Sequence, residues 1–232
     1  MPVWASGLEA LTFITEEYPP YNFQRDGKLQ GRSVEILDAI FDLTETDLTT
    51  ADIHYLPWAR GYETTLNKPN TVLFSTTWTP SRNALFKWVG PIATDRVGLI
   101  ARKDKGIEIE SIDELNHSDY RLTAIREDIG EQSLEAAGVD MGQVREAISN
   151  TSALQMLTRD RVDLWAYSED VALWIAEETG LDPANYESVY TLSESQLYFA
   201  LHPDTNERLV ATMQDALERL REQGVLEDIL EP

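Results

Sequence analysis

The sequence predicts an α/β fold in two lobes, each a mostly parallel sheet flanked by helices. Three observations predict it. Residues 11–75 run in the order strand, loop, helix, strand, helix, strand, the pattern of parallel strands joined by helical crossovers. A second βα series begins near Arg121 and is followed by a long amphipathic helix. The join between the two series, Pro91–Gly98, is itself strand-like and carries no Gly/Ser-rich linker. Two lobes joined by strands, with a cleft between them, fit that pattern better than two independent beads.

Leu11–Thr15 reads as the first strand. Pro19 and Pro20 bar a helix after it, so Glu16–Phe23 is a rigid loop carrying aromatic rings. Asp26-Gly27 and Gly31 mark turns. Ser33 is the expected N-cap of a helix whose stripe is Val34, Leu37, Ile40, Phe41 and Thr44. Asp52–Pro57 is a second strand, Trp58 opens a short helix ending near Asn67, and Thr71–Ser75 is a third strand. Val97–Arg102 is another strand, and Ser111-x-x-Glu114 is a capping box. In the second series Arg121–Ile125 is a strand, Glu131–Ala137 and Thr151–Thr158 are helices, and Val162–Tyr167 is a strand. Ser168 caps the helix Glu169–Thr179, stopped by Gly180. Leu197–Leu201 is a late strand. Thr205–Gln223 is the clearest helix, with Leu209, Met213, Ala216, Leu217 and Leu220 on one side and Gly224 as its stop.

Composition narrows function. With 232 residues and 42% hydrophobic content, the chain can bury a core. Lys+Arg number 19 against 41 Asp+Glu, a net charge of -22, which disfavours nucleic acid and anionic membrane faces as partners. The absence of cysteine excludes disulfides, thiolate nucleophiles and Cys-based zinc sites. His54, His117 and His202 are scattered without metal-ligand spacing. No phosphate-binding loop, dinucleotide fingerprint, nucleophile elbow or H-E-x-x-H motif is present, so neither a cofactor nor a metal is expected. No apolar run approaches a membrane span. The first residues hold no complete signal peptide, and Met1 fits a start set where a signal was removed.

The stretch from Thr71 to Ile92 carries the functional expectation. A strand of apolar residues ends in Ser75-Thr76-Thr77, and Trp78, Pro80 and Arg82 follow within one turn. Small hydroxyls and a guanidinium fork at a strand end form an anion-recognition corner, because Arg presents paired donors that match a carboxylate. In parallel sheets ligands lie beyond the carboxyl ends of the strands. The Tyr18–Phe23 loop, Trp58 and Ser75–Arg82 all emerge at that edge.

Several residues carry two readings. Arg82 is a ligand clamp or a surface ion pair. Trp58 and Trp78 are cleft walls or core. Arg60 is a second clamp or a helix-surface charge. Tyr18 and Tyr21 wall a ligand or pack their loop. Arg126 reaches a ligand or pairs with Glu127 or Asp128. Ser168 is first an N-cap and second a ligand contact.

From about Leu11 to Leu230 the chain resembles the family 3 extracellular solute-binding proteins, the periplasmic receptors of polar amino-acid ABC transporters. The resemblance is carried by Tyr18-Pro-Pro-Tyr21, by Gly31 before a helix, and by Ser75-x-Thr77-x-x-x-x-Arg82. It is also carried by Trp88-x-Gly-Pro91, Arg161-Val-Asp163 and a last helix ending at Gly224. It implies a type II periplasmic-binding-protein fold: residues 1–93 begin lobe 1, 94–194 form lobe 2, and 195–232 return to lobe 1. It implies hinge closure over a small polar ligand, uptake through an ABC permease, a periplasmic location and a monomer. It assigns the ligand carboxylate to Arg82, assistance to Ser75 and Thr77, and the aromatic wall to Tyr18, Tyr21 and Trp58. Three positions depart from the family pattern. Ser168, beside Glu169 and Asp170, stands where an acid usually meets the ligand ammonium. Arg126-Glu127-Asp128 replaces a Gly/Ser/Thr loop, and Phe74 replaces a small residue. Two rival functions share the scaffold: a dehydratase-like enzyme with Glu169 as its acid, and a sensory input module.

Overall fold

The structure, a computed structural model, describes residues 7–230. Its strands and helices are, in chain order, β1 Thr12–Thr15, β2 Phe23–Arg25, β3 Lys28–Gln30, α1 Arg32–Leu43, β4 His54–Tyr55, α2 Trp58–Asn67, β5 Thr71–Thr77 and β6 Lys87–Arg102. There follow α3 Ile112–Asn116, β7 Leu122–Ile125, α4 Ile129–Ala137, β8 Val144–Ala147, α5 Asn150–Thr158, β9 Leu164–Ser168, α6 Glu169–Glu178, β10 Tyr186–Leu201, α7 Glu207–Glu222 and α8 Val225–Leu230. The chain divides into two units. One is Met1–Thr94 with Ser195–Pro232, and the other is Asp95–Glu194. The long strands β6 and β10 carry the chain from one unit to the other and back.

In the first unit the strand order is β4-β1-β5-β10. β1 is parallel to both β4 and β5, and β10 runs antiparallel to β5. All seven residues of β5 are buried, as a central strand covered on both faces must be, which is why its sequence is a continuous run rather than an alternation. Helix α1 buries Val34, Ile36, Leu37, Ile40 and Phe41, and Phe41 meets Phe13 of β1 edge-on at 5.1 Å. Each such side chain contributes roughly 1.5–3 kcal/mol by leaving water. The predicted stripe of α7, Leu209 to Leu220, is buried and packs on α1.

In the second unit the order is β6-β9-β7-β8, with β7 parallel to β8 and β9, and β9 antiparallel to β6. Leu99, Leu115, Leu122, Ala124, Leu134, Leu164 and Ala166 form one core cluster. Trp165 and Tyr167 alternate with Leu164 and Ala166 and therefore fill the other face, stacked at 5.0 Å and 11°.

Local expectations need correction at several places. Ser33 is not the N-cap of α1: the helix starts at Arg32, and Gly31 holds the cap position at φ 119°. The strand expected over Asp52–Pro57 is confined to His54–Tyr55, because a Thr49–Asp52 capping box winds a short 3₁₀ turn before it. Ser168 occupies the N-cap position of α6 but makes no side-chain cap hydrogen bond. The late strand begins at Tyr186, well before Leu197. The short β8, sequence VREA, is polar enough to escape any apolar pattern.

Candidate functional site

The first unit gathers the residues expected from the sequence at the carboxyl ends of β1, β4 and β5. The β1 end leads into the Tyr18–Asn22 loop. Tyr18 N–H donates to the Asn22 carbonyl (2.7 Å) and Asn22 Nδ2 donates to the Glu16 carbonyl (2.8 Å). The loop is thereby closed on itself, and its rings lie stacked, Tyr18 on Tyr21, at 5.9 Å and 27°. Both tyrosines are buried, and the Tyr21 hydroxyl donates to the Thr94 carbonyl at 3.2 Å.

The β5 end holds an irregularity that no periodicity signals. Thr76 pairs with Tyr198 and Phe74 with Phe199, so Ser75 has no opposite number on β10. Ser75 is the extra residue of a β-bulge and adopts φ 58°. A bulge re-aims the side chain of its extra residue. Here the Ser75 hydroxyl donates to the Ser33 hydroxyl at 2.8 Å, at the start of α1. Thr77 closes the strand, buried like Ser75.

Arg82 is 1% exposed. Its guanidinium carbon lies 4.9 Å from the Trp58 ring centre and 5.3 Å from that of Tyr62, and Nη1 donates to the Thr77 carbonyl at 3.2 Å. Trp58 and Tyr62 occupy successive turns of α2 and stack at 5.2 Å, as side chains four apart on a helix do. The rings continue from Tyr62 to Phe86, Trp88 and Tyr198 at 5.5, 5.6 and 5.8 Å. Stacking of a cation over aromatic faces contributes most where water is excluded. The surface-ion-pair reading of Arg82 is thus replaced by an arginine held inside the fold. At the end of β4, burial pushes the Tyr55 hydroxyl's pKa well above its ordinary value, and the carboxylates of Glu17 and Glu16 push it further.

Two other expected site residues of this unit are less buried. Arg60 is exposed on α2. Trp78 is half-buried. Its indole donates to Asn83 Oδ1 (3.1 Å), and its backbone pairs with Gln196 and accepts from the Ser195 hydroxyl.

In the second unit, Arg126 is 65% exposed and lies 3.9 Å from Glu127. The loop around it turns its polar groups inward: Ile129 N–H donates to Asp128 Oδ1 and Glu127 N–H to Glu131 Oε2, each at 2.6 Å. Ser168 is buried at the start of α6. Glu169 stands 3.8 Å from Arg96, which also pairs with Glu194 at 2.9 Å. A cavity of about 350 Å³ in this unit is lined by Arg102, Asp104, Thr158, Leu181, Asn185 and Tyr186. Its arginine is already matched by Asp104 and Asp160. Among the described residues there is no cluster of three potential metal ligands and no helix long and apolar enough to cross a membrane.

The sequence reading did not single out the contacts of Ser33 with Ser75 or of Tyr62 with Arg82 and Phe86. The helical spacing of Trp58 and Tyr62 was a usable signal for Tyr62. Ser33 carried none beyond its resemblance to a cap.

Known proteins resemble this chain in sequence and in fold. A Bacillus subtilis (strain 168) protein described as a probable amino-acid-binding protein, YxeM, is 23% identical over 219 residues, spanning 91% of this chain and 78% of that protein. The crystal structure of an ABC uptake transporter substrate-binding protein from Streptococcus pneumoniae, with bound histidine, superposes with a TM-score of 0.79 at 18% identity, covering 95% of this chain and 91% of the other. A histidine kinase sensor domain with similarity to periplasmic binding proteins gives a TM-score of 0.79 at 20% identity, covering 94% and 93%. At these identities the two structures establish a common fold. The family model for bacterial extracellular solute-binding proteins, family 3, matches residues 11–232, and the chain belongs to that family.

Proposed function

We propose that this chain is a non-enzymatic receptor for a small polar solute bearing a carboxylate, an amino acid or a close relative. In this reading its two units are lobes, residues 1–93 with 195–232 and residues 94–194. Closure about the two connecting strands captures the ligand, and the loaded receptor delivers it, outside the cytoplasmic membrane, to an ABC permease. The observation that carries the reading is Arg82: a buried guanidinium stacked over Trp58 and Tyr62, with one donor fixed on the Thr77 carbonyl. Such a group is orientationally fixed before any ligand arrives, so little ordering entropy is lost on binding. Ser75 and Thr77 flank it as hydroxyl partners, and Tyr18 and Tyr21 supply a flat wall. Arg60, Trp78, Arg126 and Ser168 are secondary candidates for contact.

The test is titration calorimetry with L-histidine, L-glutamine, L-arginine, L-glutamate and L-cysteine. At least one should bind with a dissociation constant in the micromolar range or tighter, about 8 kcal/mol or more. Arg82→Ala should weaken that binding by about a hundredfold or more, because the ligand carboxylate loses its charged partner. Failure of all five to bind at millimolar concentration, or unchanged affinity in Arg82→Ala, would remove the basis of the reading. Conversion of a cyclic hydroxy-acid substrate such as prephenate would replace it with an enzyme.

A further inference from the structure

We infer that the first turn of α1 assembles the ligand corner, with Ser33 as the positioning residue that fixes the Ser75 bulge. This inference rests on the reading of the Ser75–Arg82 corner as a ligand site.

Three contacts converge on that turn. Arg32 N–H donates to the Pro20 carbonyl at 3.1 Å and Ser33 N–H to the Tyr21 carbonyl at 2.8 Å. The Ser33 hydroxyl accepts from Ser75 at 2.8 Å. The tyrosine loop after β1 and the bulge in β5 are therefore both tied to Ser33, with Arg32 adding a second hold on the loop. The approach is close: a Cβ on Gly31 would lie 2.5 Å from the Tyr21 carbonyl oxygen and 2.7 Å from that of Pro20.

Ser75 needs such a tie. Its backbone is at φ 58°, a region that side chains other than those of Gly, Asn and Asp enter rarely. A bulge offers no ladder partner to hold it there. The Ser75 hydroxyl is also buried, at 3% residue exposure, as is Ser33 at 1%. Without Ser33 as acceptor the hydroxyl would have to turn elsewhere or stay unsatisfied, and the residue carrying it would turn as well. Ser33 thus acts on the ligand through Ser75 and the Tyr18–Tyr21 loop, not by contact of its own.

The test compares wild type with Ser33→Ala, Ser33→Thr, Ser75→Gly and the double variant Ser33→Ala/Ser75→Gly. Glycine at 75 removes the hydroxyl while tolerating the positive φ. In ¹H–¹⁵N spectra of the ligand-free protein, Ser33→Ala should move the amides of residues 74–77 more than those of the rest of α1. Ser33→Thr, which keeps a hydroxyl, should move them less. In calorimetry with the five amino acids above, Ser33→Ala should weaken the best binder about tenfold. The double variant should bind no more weakly than Ser75→Gly alone, since Ser33 has then lost the group it acts on. Unmoved amides at 74–77, or losses that simply add in the double variant, would overturn the inference. A Ser33→Ala chain that does not fold leaves Ser33→Thr and Ser75→Gly to decide: moved 31–34 amides in Ser75→Gly support the tie, and unmoved ones refute it. If none of the five amino acids binds wild type, the receptor reading falls, and the spectra still decide whether Ser33 holds Ser75.

Discussion

The two units use the same ingredients, parallel strands that end in loops at helix starts, and spend their polar groups differently. In the unit built from both ends of the chain, side chains from β5 and the loop after it meet those of α1 and α2 across long sequence distances: Ser75 on Ser33, and Arg82 over Trp58 and Tyr62. In the Asp95–Glu194 unit the corresponding loop satisfies itself. Asp128 and Glu131 take the amides of Ile129 and Glu127, and Arg126 turns outward toward Glu127. A loop whose donors are already matched by its own acids has little left for an anionic ligand. Under the proposed reading the recognition charge lies in the first unit, where Arg82 is buried, whereas Arg126 of the second unit is exposed.

The strongest way to break this contrast is to overfill a helix start in each unit. Gly31 and Gly130 both lie where a Cβ would strike a carbonyl oxygen, that of Tyr21 at 2.5 Å and that of Ala166 at 2.0 Å. Either glycine replaced by alanine should lower stability by about 3 kcal/mol, seen as a reduced urea midpoint. Only Gly31→Ala should also disturb the Tyr18–Ser75 corner, visible as altered amide shifts there. Equal disturbance from Gly130→Ala would erase the distinction between the units.

A smaller effect isolates the second unit. Burial acts to raise the Asp163 pKa, but three hydrogen bonds from Arg121 outweigh it and hold the carboxyl below its ordinary value. An acid whose folded pKa lies below the unfolded one, about 3.9, stabilises the fold above that pH. The contribution is lost as pH falls through the lowered folded value. Asp163→Asn should therefore cost about 1 kcal/mol at neutral pH, an amount limited by the partial exposure of Arg121, and should flatten acid unfolding below about pH 4. Loss of stability that is the same at pH 7 and pH 2 would contradict the linkage.

The smallest effect tests the outward-facing arginines. Arg126→Ala and Arg60→Ala should each change the unfolding free energy by less than about 0.5 kcal/mol, since both residues are exposed. If Arg126→Ala nevertheless abolished ligand binding, the second unit would supply recognition charge after all.

What could be read in the sequence followed from local signals. The continuous apolar run of β5, the stripe of α7 and the Gly224 stop needed no partner to be recognised. The grouping of Ser75, Thr77 and Arg82 was legible because they lie close together in the chain. The bulge was not, since it exists only in the register between β5 and β10. Ser33 looked like a cap because serine before an apolar stripe usually is one. Gly31 took that position instead, with a backbone angle serine tolerates poorly. β8 was hidden by the polar sequence of an edge strand, which is paired on one side only.

The long strands β6 and β10 have one consequence for how the molecule is made. The Asp95–Glu194 unit is a single uninterrupted stretch of chain, whereas the other needs both ends. As the polypeptide leaves the ribosome, β5 is complete long before its antiparallel neighbour β10 exists, and α1 waits for α7 in the same way. Until β10 pairs with it, β5 in a nascent or truncated chain lacking the last strand and helices would present an open apolar edge to chaperones and proteases.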